Sequence, residues 1–205
     1  MTSDKLAFRD LYHHICLISL NDRLRCITEQ FPASETATDI VTYCYVDHTA
    51  GLTFEVLACA RRDGNGKIEV SEGNPSVSAK CRFGSLTDCS LWVTDFPALQ
   101  KAFATQIKRI NRSYTPSEQL AQLRETTEMD PFRHPEYPDD ILVMLFREGL
   151  QPEGCWVRCE SFDPHGFYGP LLNEPDADFG VHCGDTVAFV PTIVNGEVLC
   201  VCLCD

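Results

Sequence analysis

Residues 141–146, ILVMLF, are apolar at every position. A strand with one wet face alternates apolar and polar side chains, so an unbroken run this short predicts a central strand covered on both sides. Further strands gather around it. Glu153-Gly154 turns the chain into residues 155–162, where Cys155, Val157 and Cys159 face one way and Trp156, Arg158 and Glu160 the other. The sequence DPHG at 163–166 is a turn and 167–172 a third strand. Gly184-Asp185 leads into 186–190, and Asn195-Gly196 makes a two-residue hairpin turn into 197–204. Five short strands with tight turns predict a small five-stranded antiparallel sheet or partial barrel.

The first half of the chain carries helical spacing as well. Over residues 3–31, Ser3 can cap a first turn, and Phe8, Leu11, Tyr12, Ile15 and Ile18 recur every three or four positions. Leu20, Leu24, Ile27 and Phe31 repeat the pattern, with Asn21-Asp22 between the two sets as a break or a second cap. Strand-like runs at 40–47, 52–61 and 67–70 are joined by HTAG and DGNG turns, which makes a meander. Two short strands follow, near 78–82 and 90–94. Asp95 and Pro97 then open a helix whose apolar face is Phe96, Leu99, Phe103, Ile107 and Ile110. A third helix begins with Thr115 as cap and Pro116 in its first turn, and ends near Glu128. Pro131, Pro135 and Pro138 read as an extended linker. The predicted class is α+β: N-terminal helices packed on an antiparallel meander in a domain of residues 1–130, then a small acidic β-rich domain at 131–205.

Charge separates the same two regions. Residues 1–114 hold 13 acidic and 13 basic side chains, whereas residues 115–205 hold 17 acidic and 4 basic, so the whole net charge of −13 sits in the second part. Such a field repels phosphate backbones, which argues against nucleic acid, and steers a basic partner, a cation or a positively charged substrate inward. No apolar run reaches the roughly 20 residues of a membrane helix, and MTSDKLAFRD lacks the layout of a signal peptide. A cytoplasmic protein is expected. The 12 cysteines include no Cys-x-x-Cys pair, so neither a zinc pattern nor a disulfide framework is signalled. Cys200, Cys202 and Cys204 share one strand face and read as core filler.

The residues that stand out as a candidate binding set are Trp156, Arg158, Asn173, Glu174 and His182. An aromatic ring beside a guanidinium on one strand face suits recognition, with Asn173-Glu174 at the rim. Each also has a purely structural role open to it: Trp156 in packing, Asn173 in its own turn. The runs PDDILVMLFREGLQPEGCWVRCE, GFYGPLLNEP and FGVHCGDTVAF resemble the bacterial YegJ-like domain of unknown function (domain of unknown function 2314). The likeness rests on Pro138-Asp139-Asp140, on Glu153 with Trp156-Val157, on residues 169–175 and on Gly184-Asp185, and covers roughly the last third of the chain. It implies no known reaction; similar domains stand behind longer N-terminal regions in bacterial proteins, some near toxin–immunity loci.

Two functions follow as expectations. The first is a non-enzymatic binding or immunity-type protein whose acidic surface engages a basic protein partner, with no cofactor. The alternative is a hydrolase with a Cys/His or metal centre drawn from His134, His165, His182 and Cys183. His182 is badly placed to activate its neighbour Cys183, since adjacent strand residues face opposite ways. No His-x-His or His-x-x-x-His spacing, phosphate-binding glycine loop or dinucleotide fingerprint is present.

Overall fold

The apolar residues that predict helix over 3–31 form three short elements instead: α1 (Phe8–Leu11), β1 (Ile15–Ser19) and α2 (Asp22–Thr28). This computed structural model describes residues 6–94 and 96–205, so the expected caps Ser3 and Asp95 lie outside the described residues. The chain divides into two compact units, Met1–Thr115 and Pro116–Asp205. Mainly β, with some helices, each unit holds one six-stranded sheet.

In the first unit β1 is an interior strand because both its faces are apolar and both are covered. Cys16 and Ile18 enter one core with Phe8, Leu11 and Leu24, while Ile15 and Leu17 enter a second core with Phe103 and Ile110. A period of two hidden in an all-apolar run is indistinguishable from a helix segment by spacing alone. Tertiary pairing decides it: β1 bonds β2 (Asp39–Asp47) on one side and β6 (Leu91–Thr94) on the other, both antiparallel. Asn21 is indeed a cap, its Oδ1 accepting the Leu24 N–H at 2.9 Å. Next to β2 runs β3 (Gly51–Arg62), and β4 (Ile68–Val70) and β5 (Lys80–Arg82) pair with opposite ends of β3. The register slips between Val41 and Thr42, which sit opposite Ala58 and Val56, so Leu57 is the extra residue of a bulge. The expected helix after residue 95 is two, α3 (Pro97–Ala102) and α4 (Ala104–Ser113), and α4 closes the second core.

In the second unit α5 (Glu118–Glu125) is capped by Ser117, whose Oγ accepts the Leu120 N–H at 3.2 Å; the expected cap, Thr115, instead donates its hydroxyl to Asn111 O. The proline-rich stretch is held rather than extended. Residues Thr127–Phe132 form a 3-10 turn with Met129 in the core. The Arg133 guanidinium donates to the carbonyls of Leu123, Thr126 and Pro138, tying both ends of the stretch together.

The strands of this unit are β7 (Asp140–Phe146), β8 (Glu153–Arg158), β9 (Ser161–Asp163), β10 (Gly166–Pro170), β11 (Thr186–Val194) and β12 (Glu197–Leu203). Their order is β8-β7-β12-β11-β10-β9, and β7 pairs β12 in parallel, so the sheet is mixed and six-stranded where five antiparallel strands were expected. The difference lies at Cys159-Glu160. There the run expected as one strand bends into β8, paired with β7, and β9, paired with β10. Leu171, just past β10, bridges back to Val157 in β8, so the sheet curls until its two ends touch. Gly169 is obligatory at that crossing: an added Cβ would lie 1.7 Å from Arg158 O.

Candidate interaction surface

Period two sorts the second unit's strands into a buried and an outward face. Ile141, Val143 and Leu145 of β7 are fully buried with Cys155, Val157, Val187, Phe189, Cys200 and Cys202. α5 lies on this same side, through Leu120 and Leu123. The register then fixes the other face. Leu142 is opposite Trp156, Met144 is beside Val201, Phe146 beside Leu203, and Val201 opposite Val190. These side chains make an apolar band across β8, β7, β12 and β11, buried at its middle, where Val201 is 7% exposed, and open toward its edges. Leu142 is 37% exposed, Val190 40% and Leu203 80%. Beyond the core, Ile193 and Val198 face each other across the β11–β12 hairpin, 73% and 53% exposed. The outer side of β7, expected to be covered, is therefore partly open. Contiguous exposed apolar surface of this kind marks interaction sites more often than isolated exposed residues do.

Trp156 and Arg158 sit at one end of this face. The Trp156 ring meets His134 edge-on at 4.8 Å between centroids, and His134 meets Tyr137 at 5.2 Å. His134 Nδ1 accepts the backbone N–H groups of Glu136 and Tyr137, at 3.1 and 3.3 Å, which fixes its ring against the indole. The guanidinium expected beside Trp156 is itself engaged by a carboxylate. Arg158 grips Asp140 with two hydrogen bonds of 2.8 and 3.1 Å, and the carboxylate holds its pKa above the ordinary guanidinium value. Asn173 Oδ1 accepts the Trp156 N–H at 2.8 Å, and its amide donates to Cys155 Sγ at 3.4 Å, so Asn173 staples the loop after β10 to β8. Glu153 helps at the same seam by accepting the N–H groups of Asp176 and Ala177.

Glu174 and His182 form a second, exposed pair. Glu174 Oε1 lies 2.7 Å from His182 Nδ1, and Oε2 accepts the Cys183 N–H at 2.8 Å. The Cys183 N–H and then His182 hold the Glu174 carboxyl below its usual value; Glu174 in turn raises His182. Asp185 accepts the His182 N–H at 2.8 Å, which closes the loop. The five residues singled out in the sequence thus do not converge on one point. Trp156, Arg158 and Asn173 mark one end of the apolar face, and Glu174 with His182 ties a loop. Tyr137, Leu142, Val190 and Leu203 belong to the surface and were not singled out, and His134, expected only as a catalytic or metal candidate, packs on Trp156 instead. The even-numbered positions of ILVMLF were the signal for Leu142.

Of the catalytic alternatives, His134 packs on Trp156, while His182 and Cys183 are neighbours in the loop before β11 and not on a strand as expected. His165 is exposed in a turn where Asp163 accepts its N–H, and Cys183 is exposed beside the Glu174 loop. Among the described residues, no three His, Cys, Asp or Glu side chains come together in a way that could hold a metal ion.

The electrostatics of the unit are one-sided. Its four arginines are each locked to an aspartate: Arg124–Asp139 at 2.7 Å, Arg133–Asp130 at 2.9 Å, Arg147–Asp178 at 3.5 Å and Arg158–Asp140 at 2.8 Å. The pair Arg124–Asp139 is almost wholly buried and bidentate. With no lysine present in residues 116–205, the remaining 13 carboxylates have no arginine or lysine of their own unit to offset them. Among the described residues no helix is long and apolar enough to cross a membrane. No family model, curated protein or solved structure matches the chain.

Proposed function

We propose that this is a non-enzymatic binding protein of the immunity type, whose second unit, a YegJ-like β domain, engages a basic protein partner. The observation that carries this reading is the combination in one unit of an open apolar sheet face and a carboxylate excess whose few cations are already spent internally. An acidic field speeds encounter with a basic partner and discourages a second copy of the same unit. The apolar band then supplies the contact area, with Trp156 as its aromatic anchor. The partner that fits carries an apolar patch rimmed by lysine or arginine.

The test is cross-linking of the full chain in lysate of cells that express it, at low and at high salt. The expected result is a basic protein, cross-linked near β7, β11 and β12, recovered at low salt and weakened by salt. Trp156→Ala is expected to weaken that complex by about tenfold, since truncating an aromatic anchor at an interface costs roughly 1–2 kcal/mol. Recovery of no basic protein at low salt would overturn the reading.

A further inference from the structure

Nine of the twelve cysteines are buried, and Cys26 and Cys183 are exposed singly. Cys202 and Cys204 differ from the rest. Their sulfurs lie 3.9 Å apart on the same side of the chain, with Leu203 between them pointing the other way. Cys202 is buried near the end of β12, and Cys204, one residue past the strand, is half-buried. The Cys204 N–H donates to Phe146 O at 2.8 Å, which prolongs the β7–β12 pairing and holds the two thiols side by side. A third sulfur, Cys155, belongs to the core that Cys204 packs against, and is occupied as an acceptor from Asn173.

We propose that Cys202 and Cys204 form a thiol–disulfide exchange site that takes low-molecular-weight disulfides of the glutathione class. Cys204, the more accessible, attacks as its thiolate on one sulfur of the small disulfide. That S–S bond breaks, a Cys204–S–S–R mixed disulfide forms, and the first small thiolate leaves and takes up the proton that Cys204 gave up. Cys202 then loses its proton to solvent and attacks the Cys204 sulfur, expelling the second small thiolate, which is protonated in turn. Two protein thiols are oxidised to one internal disulfide, and one small disulfide is reduced to two thiols.

Burial sets the order of attack: it pushes the Cys202 thiol up to about 12, with the neighbouring Cys204 adding to the effect, so Cys202 acts second. The geometry also sets the character of the bond. Strand residues two apart have Cα atoms about 6.6–6.8 Å from each other, at the long end of the ~4.4–6.8 Å that disulfides span. The sulfurs must close from 3.9 Å to about 2.05 Å. A bond made under that constraint is easily reduced, as an exchanging disulfide is and a structural one is not. This site stands independently of the binding function proposed above.

The full-length chain is equilibrated in buffers of increasing oxidised-to-reduced glutathione ratio, quenched by alkylation, and mapped by mass spectrometry. The expected result is loss of two hydrogens from the intact chain, with the internal bond located between Cys202 and Cys204. Cys202→Ser is expected to accumulate one glutathione on Cys204, and Cys204→Ser to show neither product. The proposal is overturned if the wild-type chain forms no Cys202–Cys204 bond at any ratio, if glutathione attaches only to Cys26 or Cys183, or if the bond formed joins Cys155 to either residue. Mapping of the wild-type chain decides the matter even where a variant does not fold.

Discussion

The two six-stranded sheets differ in how many of their faces are covered. In the first unit the sheet lies between two cores, and unbroken apolar stretches such as residues 15–18 are buried on both sides. Two of the polar side chains caught there are partnered: Glu55 takes Arg109 at 2.8 Å and Thr42 donates to Cys16 O at 3.1 Å. In the second unit the equally apolar run 141–146 has one core beneath it, and its outward residues emerge at Leu142 and its neighbours. An apolar run therefore reports that two faces are apolar. What covers each face depends on which helices the chain has to lay down. The first unit places helices on both sides of its sheet, while the second places its single helix, α5, on the side already buried.

The largest effect is expected at the polar brace of the second unit. Asp139→Ala removes the bidentate carboxylate from the Arg124 guanidinium, which is 2% exposed, and breaking such a buried pair from one side costs about 3–5 kcal/mol. Each unit has one tryptophan, Trp92 and Trp156. Urea unfolding of a Trp92→Phe background, followed by Trp156 emission, should show the midpoint fall sharply. An unmoved midpoint would mean that the brace contributes nothing.

A sharper test of the comparison sets Leu17→Ala against Leu142→Ala. Leu17 is 3% exposed in the doubly covered sheet, and its truncation is expected to cost roughly 2–5 kcal/mol. Leu142, on the open face, should cost no more than about 0.5 kcal/mol. Equal losses in chemical denaturation would show that the outer face of the second sheet is covered after all, and the contrast would collapse.

The smallest effect is expected at the exposed loop pair. Glu174 raises the His182 pKa, so in Glu174→Gln the histidine's NMR titration midpoint should drop toward its ordinary value. The sign follows for stability. Because the folded pKa of His182 is raised, its contribution is complete below the unfolded value and is lost as pH rises through the folded one. Because that of Glu174 is lowered, its contribution is present above the unfolded value and is lost as pH falls through the folded one. The loop staple is thus most favourable in the window between. The same histidine midpoint in both proteins would remove the pair.

Much of this could be read in the residues, because short-range chemistry fixed it. The turns at Asn195-Gly196 and Asp63–Gly66 are formed, with Asn195 and Gly196 both at positive φ, as such a hairpin turn demands. The strands β2, β3, β4 and β6 begin and end within a residue or two of expectation. The acidic imbalance was visible as a count. What misled was β1, where Ile15 and Ile18 satisfied a helical period and a buried strand equally well. The proline-rich segment also misled. Its prolines announced an extended linker, but Arg133 gathers the carbonyls at both of its ends.

The candidate site was legible only in part, for the same reason. Trp156 could be singled out as an aromatic on a polar strand face. Its His134 neighbour comes from a segment that no spacing rule connects to β8. Arg158 looked available for recognition because its partner, Asp140, lies 18 residues away and meets it only through the β7–β8 register.

By itself the sequence determined local turns, the alternation of side chains within most strands, and the confinement of the net charge to the second half. Those depend on neighbouring residues or on simple composition. Only the tertiary structure decided that each arginine of the second unit is already paired, that one run bends to serve both ends of a curled sheet, and that the outward face of ILVMLF stays partly open. These are questions of which distant groups meet, and pairing across a sheet settles them where spacing along the chain does not.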